Sequence, residues 1–276
     1  MPRESRFARD RFALYESAVQ GVEYDLDFFE RVWRTTRGGR FRDLREDFCG
    51  TAQLACTWAA RRPENRAWAL DLDPGVLAWS RRERLARLGE AASRVTLLER
   101  DVRAVTRPAV QVVVALNYSF WTFHERAELR RYFRAVRRSL RGDGLFFLSM
   151  FGGTAAMDRL VETHRVASWP GPDGAPLPSF TYVWEQVEFN PVDHRLLCHI
   201  HFRFRDGGEM RRAFTYDWRL WTVPEVREVL VEAGFRSSEF YVEGWDFERN
   251  RPDEVLRRRG RFENQLGWLG VVVGVA

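Results

Sequence analysis

Between Leu44 and Met150 the chain alternates between short apolar runs and longer segments with helical spacing, and this alternation leaves few folds open. Leu44 to Phe48 reads as a short strand and Ala52 to Arg62 as a helix. Ala67 to Leu72 reads as a second strand, with Gly75 to Leu88 as the helix after it. Val95 to Leu98 is a third strand. Val110 to Leu116, apolar apart from Gln111, has the character of a strand buried on both faces. Glu125 to Leu140 is a long amphipathic helix, and Leu145 to Met150 is a fifth strand. Strands separated by helices at this spacing predict a parallel, doubly wound α/β sheet.

The flanks follow other rules. Phe7 to Arg37 carries apolar residues at helical spacing, among them Phe28, Phe29, Val32 and Trp33, and Gly38-Gly39 ends it. Residues 1–40 are therefore expected to form a helical N-terminal cap, and residues 41–276 the main domain. Over about 180–221 the period becomes two, broken by Asn190-Pro191-Val192-Asp193 and Asp206-Gly207-Gly208, which predicts a three-stranded antiparallel insertion. Thr222 and Glu225 have the spacing of a capping box, and Gly234 suits the end of that helix. Phe240 to Glu243 and Trp268 to Val273 read as the last two strands, giving a seven-stranded Rossmann-like sheet. Ser168 to Ser179, with four Pro and two Gly, reads as the most flexible loop, and Arg249 to Arg261 as a solvated loop and strand lead-in.

Composition narrows the partners. Every strong base is Arg, yet 39 acids offset 44 bases and the two are interleaved, leaving a formal charge of +5. A nucleic-acid footprint wants bases clustered on one face. Cys49, Cys56 and Cys198 are odd in number and form no CxxC pair, which disfavours a disulfide framework and a zinc site. No metal site is expected. The first sixteen residues carry charges throughout, and no apolar run approaches a membrane span, so a soluble cytoplasmic protein is expected.

In an open parallel sheet, ligands bind outside the carboxyl ends of the strands, where the strand order reverses. The residues just after each strand are the candidates. After the first strand come Glu46, Asp47, Phe48, Cys49, Gly50, Thr51 and Ala52; Asp71 and Leu72 close the second. Asp101 and Val102 follow the third, and Asn117 follows the fourth beside Tyr118, Phe120, Trp121 and Phe123. Asp71 lies 21 positions after Gly50, close to the spacing that places a carboxylate on ribose hydroxyls.

EDFCGTA, ALDLDPGVLAWSRR, ERDV and LRGDGLFFLSMF stand in the order of the motifs of class I S-adenosylmethionine (SAM)-dependent methyltransferases, and the chain resembles that superfamily over about residues 40–276. RLWTVPEVREVLVEAGF and the antiparallel insertion are similar to the small-molecule members, of the glycine-type and sugar-amine N-methyltransferase kind. The resemblance implies that Glu46, Phe48, Gly50, Thr51, Ala52, Asp71, Leu72, Asp101, Val102 and Asn117 bind SAM, with Asp71 at the ribose and Asp101 at the adenine. The chain departs from the family's GxGxG turn: Phe48 and Ala52 replace its first and third glycines, which puts a ring where backbone should approach the cofactor.

The implied activity is in-line methyl transfer to a small-molecule nitrogen or oxygen nucleophile, in which alignment and water exclusion matter most. Acceptor-site candidates lie in the cap, after the fourth strand and in the insertion. Tyr15, Trp121, Glu185 and Tyr216 are singled out, with Trp33, His124, Tyr182, Trp184, His199, His201 and Arg219 behind them. His199 and His201 share the polar face of one strand and read as a solvated or lid-facing pair rather than a metal site. A nucleic-acid or protein methyltransferase, and a SAM-fold binding protein without turnover, stand as alternatives. A nicotinamide dehydrogenase is more distant, since GxGxxG is missing.

Overall fold

In the computed structural model, which describes residues 5–246 and 251–276, helices α1 (Arg11–Val19) and α2 (Val22–Arg37) precede β1 (Asp43–Asp47). Then follow α3 (Gln53–Arg61), β2 (Arg66–Asp71), α4 (Pro74–Glu83), β3 (Val95–Glu99), β4 (Val110–Ala115), α5 (Arg126–Ser139) and β5 (Leu140–Gly152). Strand β6 (Leu160–Val166), the short pair β7 (Trp169–Pro170) and β8 (Pro176–Leu177), and β9 (Phe180–Asn190), β10 (Arg195–Phe204) and β11 (Glu209–Arg219) come next. Helix α6 (Val223–Glu232), β12 (Ser237–Asp246), β13 (Arg251–Arg258) and β14 (Trp268–Val275) complete the described elements.

The main sheet has the order β13-β12-β14-β5-β4-β1-β2-β3. Strands β5, β4, β1, β2 and β3 run parallel; β14 lies antiparallel beside β5, and β12, antiparallel to β14, runs in the direction of the five. The chain winds one way from β1 to β3 and the other way from β4, so the order reverses between β1 and β4, and the carboxyl ends there are the expected ligand crevice.

Alternating side chains fill both faces. On one face Val113, Phe146 and Leu148 pack with Leu129 and Phe133 of α5 and Val226 and Val229 of α6. On the other, Val112, Val114 and Phe147 pack with Phe28, Phe29 and Trp33 of α2 and Trp58 of α3. The capping box at Thr222 and Glu225 forms as the spacing predicts.

Two strand counts differ from expectation. The main sheet has eight strands rather than seven among the described residues, because Arg251–Arg258 pairs along β12 as an edge strand instead of looping out. Arg249 and Asn250 lie outside the described residues. An edge strand needs one partner and gains solubility from charge, so its Arg-rich pattern hides its pairing. The insertion is four-stranded, order β11-β10-β9-β6, since β6 pairs antiparallel with β9. Strand β6 is exposed over much of its length, which is why Leu160–Val166 carries no alternating apolar signal. The loop 168–179 forms the β7–β8 pair and is tied to the N-terminal segment by the Ser5 hydroxyl, which donates to Asp173 at 2.7 Å.

Candidate functional site

The turn after β1 keeps the backbone path of a glycine-rich loop without most of its glycines. Phe48, Gly50 and Ala52 have φ of 56°, 52° and 54°, so all three alternate positions are left-handed. Such a conformation costs a side-chain-bearing residue about 1–2 kcal/mol. The turn is held to the sheet by the Cys49 N–H, which donates to the Leu70 carbonyl at 2.9 Å. The Phe48 ring packs against Phe123 and Tyr132, with centroids 6.0 and 5.7 Å away.

Acids surround this turn. Asp71, at the end of β2, accepts from the Gly50 N–H at 2.8 Å and from the Asp73 N–H at 3.0 Å, so its carboxylate orientation is fixed by backbone. Glu46 is buried and accepts from the Ala55 N–H at 2.9 Å, capping α3 from a distance where Ala52 offers no side-chain cap. Burial pushes the Glu46 carboxyl up to about 8, and the nearby Asp71, Asp47 and Asp25 add to the rise. Asp47 is committed elsewhere. It accepts from fully buried Arg45 at 2.6 Å and from the Tyr132 hydroxyl at 2.8 Å. Arg45 also donates to the carbonyls of Val102 and Ala104, and so fixes the segment after β3. Asp101, on that segment, is held by the Arg103 guanidinium, which lowers its pKa.

These residues wall a cavity of about 850 Å³. Glu46, Phe48, Gly50, Thr51, Asp71, Leu72, Asp101, Val102 and Asn117 line it, and the structure brings Tyr15 and Tyr216 to the same wall. Ala52 does not line it: it is fully buried beneath the turn at the start of α3.

A second cavity, of about 640 Å³, adjoins the first. Its walls include the aromatic side chains of Tyr118, Phe151, Tyr182 and Trp184. Tyr15, Asn117, Tyr216 and Trp218 line both chambers, so the two meet at these side chains. Tyr216 and Trp218 stack with centroids 4.3 Å apart. The Tyr15 phenol faces Tyr216 and Asn117, and burial pushes it up to about 12, so it is protonated at neutral pH.

A bulge supplies one more group. Opposite Ile200 to Phe202 of β10, strand β11 runs from Phe214 to Met210, and Arg212 within that stretch has φ 49°. The irregularity places Arg212 on the wall of the first chamber.

Two acceptor-site expectations are corrected. Trp121 lines neither chamber; it is fully buried and supports the wall from behind, with its ring 4.7 Å from Phe151 and 5.9 Å from Trp218. Glu185 lines neither as well. It alternates with the chamber residues Trp184 and Gln186, so it sits on the far face of β9, where His201 Nε2 lies 2.9 Å from its carboxylate. His199 and His201 are not solvated. Each is 5% exposed, because Thr215, Glu185 and the Arg212 backbone engage their ring nitrogens. His201 Nδ1 accepts from the Arg212 N–H, which leaves Nε2 to donate to Glu185. Trp33 belongs to the core against Phe41, His124 bonds to the Asp217 carbonyl, and Arg219 lies over Trp221. Tyr182 and Trp184 do line the second chamber.

Sequence reasoning missed Arg11, Gln20, Asp25 and Arg212, all on the wall of the first chamber. Asp25 had a signal. It follows Val22 by one helical turn and precedes Phe29 by another, so it lies on the buried face of α2 where an acid is out of place. Burial raises its carboxyl to about 7.

No family model and no curated protein matches the sequence. Solved structures do match. CalS10, described as an amino pentose methyltransferase from Micromonospora echinaspora, is 18% identical with a TM-score of 0.67, covering 99% of each chain. A S-adenosylmethionine-dependent methyltransferase from Clostridium acetobutylicum is 15% identical with a TM-score of 0.66, over 94% of this chain and 95% of that one. The sugar N-methyltransferase KedS8 from Streptoalloteichus is 19% identical with a TM-score of 0.62, over 95% and 90%. Along essentially its whole length, then, this chain has the fold of SAM-dependent methyltransferases.

Proposed function

We propose that the protein is a SAM-dependent methyltransferase acting on a nitrogen or oxygen nucleophile of a small molecule. The observation that carries this reading is the junction of two chambers at Tyr15, Asn117, Tyr216 and Trp218. One chamber is built on the turn after β1 and carries the acids Glu46, Asp71 and Asp101; the other carries Tyr118, Phe151, Tyr182 and Trp184. A bisubstrate transfer needs such an adjacency.

The first chamber suits SAM chemically. Among the described residues no cationic side chain binds Glu46 or Asp25 on its wall, and Gln20 Oε1 is buried there without a hydrogen-bond partner. Such groups match a ligand that brings its own ammonium and donors. Arg11 and Arg212 offer positive charge for a carboxylate. Asp71 has acceptor capacity for vicinal hydroxyls, and Asp101 with the Val102 backbone offers an edge for an aminopurine.

When bound, SAM supplies a methyl group on a positively charged sulfonium. The residues of the junction hold and align. Tyr15, protonated at neutral pH, orients by hydrogen bonding and does not abstract a proton. The stacked Tyr216 and Trp218 present aromatic faces, which attract cations. The three cysteines are buried and unpaired, which supports a reducing, cytoplasmic setting. Among the described residues no helix is long and apolar enough to cross a membrane.

Calorimetric titration with SAM and S-adenosylhomocysteine tests the reading. Saturable binding of both is expected. No binding of either at millimolar ligand overturns it.

A further inference from the structure

The second chamber does not end at its aromatic walls. Phe151 of β5 pairs in register with Leu269 of β14, and Leu269 and Leu266 both line the chamber while standing 50% and 77% exposed. The backbone beneath them is pinned. The Thr154 and Ala155 N–H groups donate to the Gln265 and Leu266 carbonyls, each at 2.9 Å. Gly153 lies so close that an added Cβ would sit 2.4 Å from the Leu266 carbonyl oxygen. A pinned loop therefore holds an apolar side chain out in water. Single exposed leucines need no explanation, but a run continuous with an aromatic chamber marks a ligand path.

The lining changes along the path. The inner end holds the phenols of Tyr15 and Tyr216 and the faces of Trp184 and Trp218. The outer end holds Leu160, Leu266 and Leu269, with Glu162 and His164 on the wall beside them. Building on the proposed methyltransferase reading, we infer that the acceptor is amphipathic: a compact amine enters the aromatic end, and an apolar body extends over Leu266 and Leu269 to the surface. A small hydrophilic acceptor would leave that apolar rim uncovered in the working complex.

The test uses the full chain saturated with S-adenosylhomocysteine and a series of primary n-alkylamines from butyl to decyl, followed by quenching of the chamber tryptophans. Affinity is expected to rise about fourfold per methylene, the value of one buried CH₂. In the double variant Leu266→Ser, Leu269→Ser the short amines bind as before, while the rise stops for the longer ones. Two results overturn the inference: no gain with chain length in the native protein, or an identical gain in the double variant. Failure of the methyltransferase reading is separate, because it shows as absent S-adenosylhomocysteine binding before any amine is added. Melting of the variant within a few degrees of native establishes that a lost gain is not unfolding.

Discussion

Glu46→Gln separates the electrostatics of the site from its shape. The amide keeps an oxygen for the Ala55 N–H, which Glu46 engages at 2.9 Å, and removes only the ionisable group. In the native fold burial raises the Glu46 carboxyl from 4.5 to about 8. The folded state therefore holds this proton more tightly than the unfolded chain, so the sign is opposite to that of a salt-bridged acid. Stability is fully present below pH 4.5 and is lost as pH rises from there through about 8. The loss is at most about 1.4 kcal/mol per pH unit, or on the order of 3–5 kcal/mol by pH 8.5. Urea denaturation of both proteins at pH 5.5, 7.0 and 8.5 reads it out. The Gln variant is expected to exceed the native protein already by about 1 kcal/mol at pH 5.5, by a margin that grows up to about pH 8 and then levels off. Asp25 titrates in both proteins, and its repulsion of an ionised Glu46 is part of the difference measured. A ligand that brings an ammonium group reverses the ranking: S-adenosylhomocysteine should bind the native protein more tightly as pH rises from 6 to 8. At pH 8 the variant should lose roughly tenfold to a hundredfold in affinity, the worth of a hydrogen bond to a charged group. A stability difference between the two proteins that does not change with pH would refute the reasoning.

Further predictions concern the same chamber and its junction. Asp71→Ala should weaken S-adenosylhomocysteine binding by about 1–3 kcal/mol through lost charge-assisted hydrogen bonds, measured by calorimetry. Phe48→Gly relieves a left-handed φ but forfeits the contacts with Phe123 and Tyr132, so a net destabilisation of about 1–2 kcal/mol is expected in urea, with cofactor-analogue binding retained. Loss of binding would show that the ring itself shapes the cofactor pocket. Tyr216→Phe should lower methyl-transfer turnover while leaving the S-adenosylhomocysteine dissociation constant within about threefold, if the hydroxyl acts at the junction. Arg45→Met should raise the SAM KM more than it lowers kcat, since Arg45 fixes the Val102 and Ala104 carbonyls and touches neither chamber.

Much of this architecture is legible in the sequence because strands buried on both faces leave apolar runs and the helices between them leave amphipathic ones. The residues after β1, β2, β3 and β4 could be placed at one end of the sheet by the same logic. What escaped had specific physical causes. Strand β13 is a charged edge in which Leu256 is buried, and β6 is mostly exposed, so neither imprints an alternating apolar pattern on the sequence. Arg212 reaches the site through a bulge, and a bulge shifts which residues face inward without altering composition. Trp121 and Glu185 were misplaced because residue type says what a side chain can do and not which way it points. One residue of register separates Glu185 from the chamber residue Trp184.

The shared wall between the chambers has a thermodynamic consequence. Tyr15, Asn117, Tyr216 and Trp218 are each in contact with whatever fills either side, so ordering them for one ligand is already done when the second arrives. The dissociation constants of cofactor and acceptor are then linked by one coupling free energy, which must be the same whichever binds first. An acceptor analogue that tightens S-adenosylhomocysteine binding by some factor must itself be tightened by that factor. Removing the ring of Tyr15, Tyr216 or Trp218 will shift both constants together, unlike Tyr216→Phe, which keeps the ring, whereas a change at Asp71 or Leu266 should move only one.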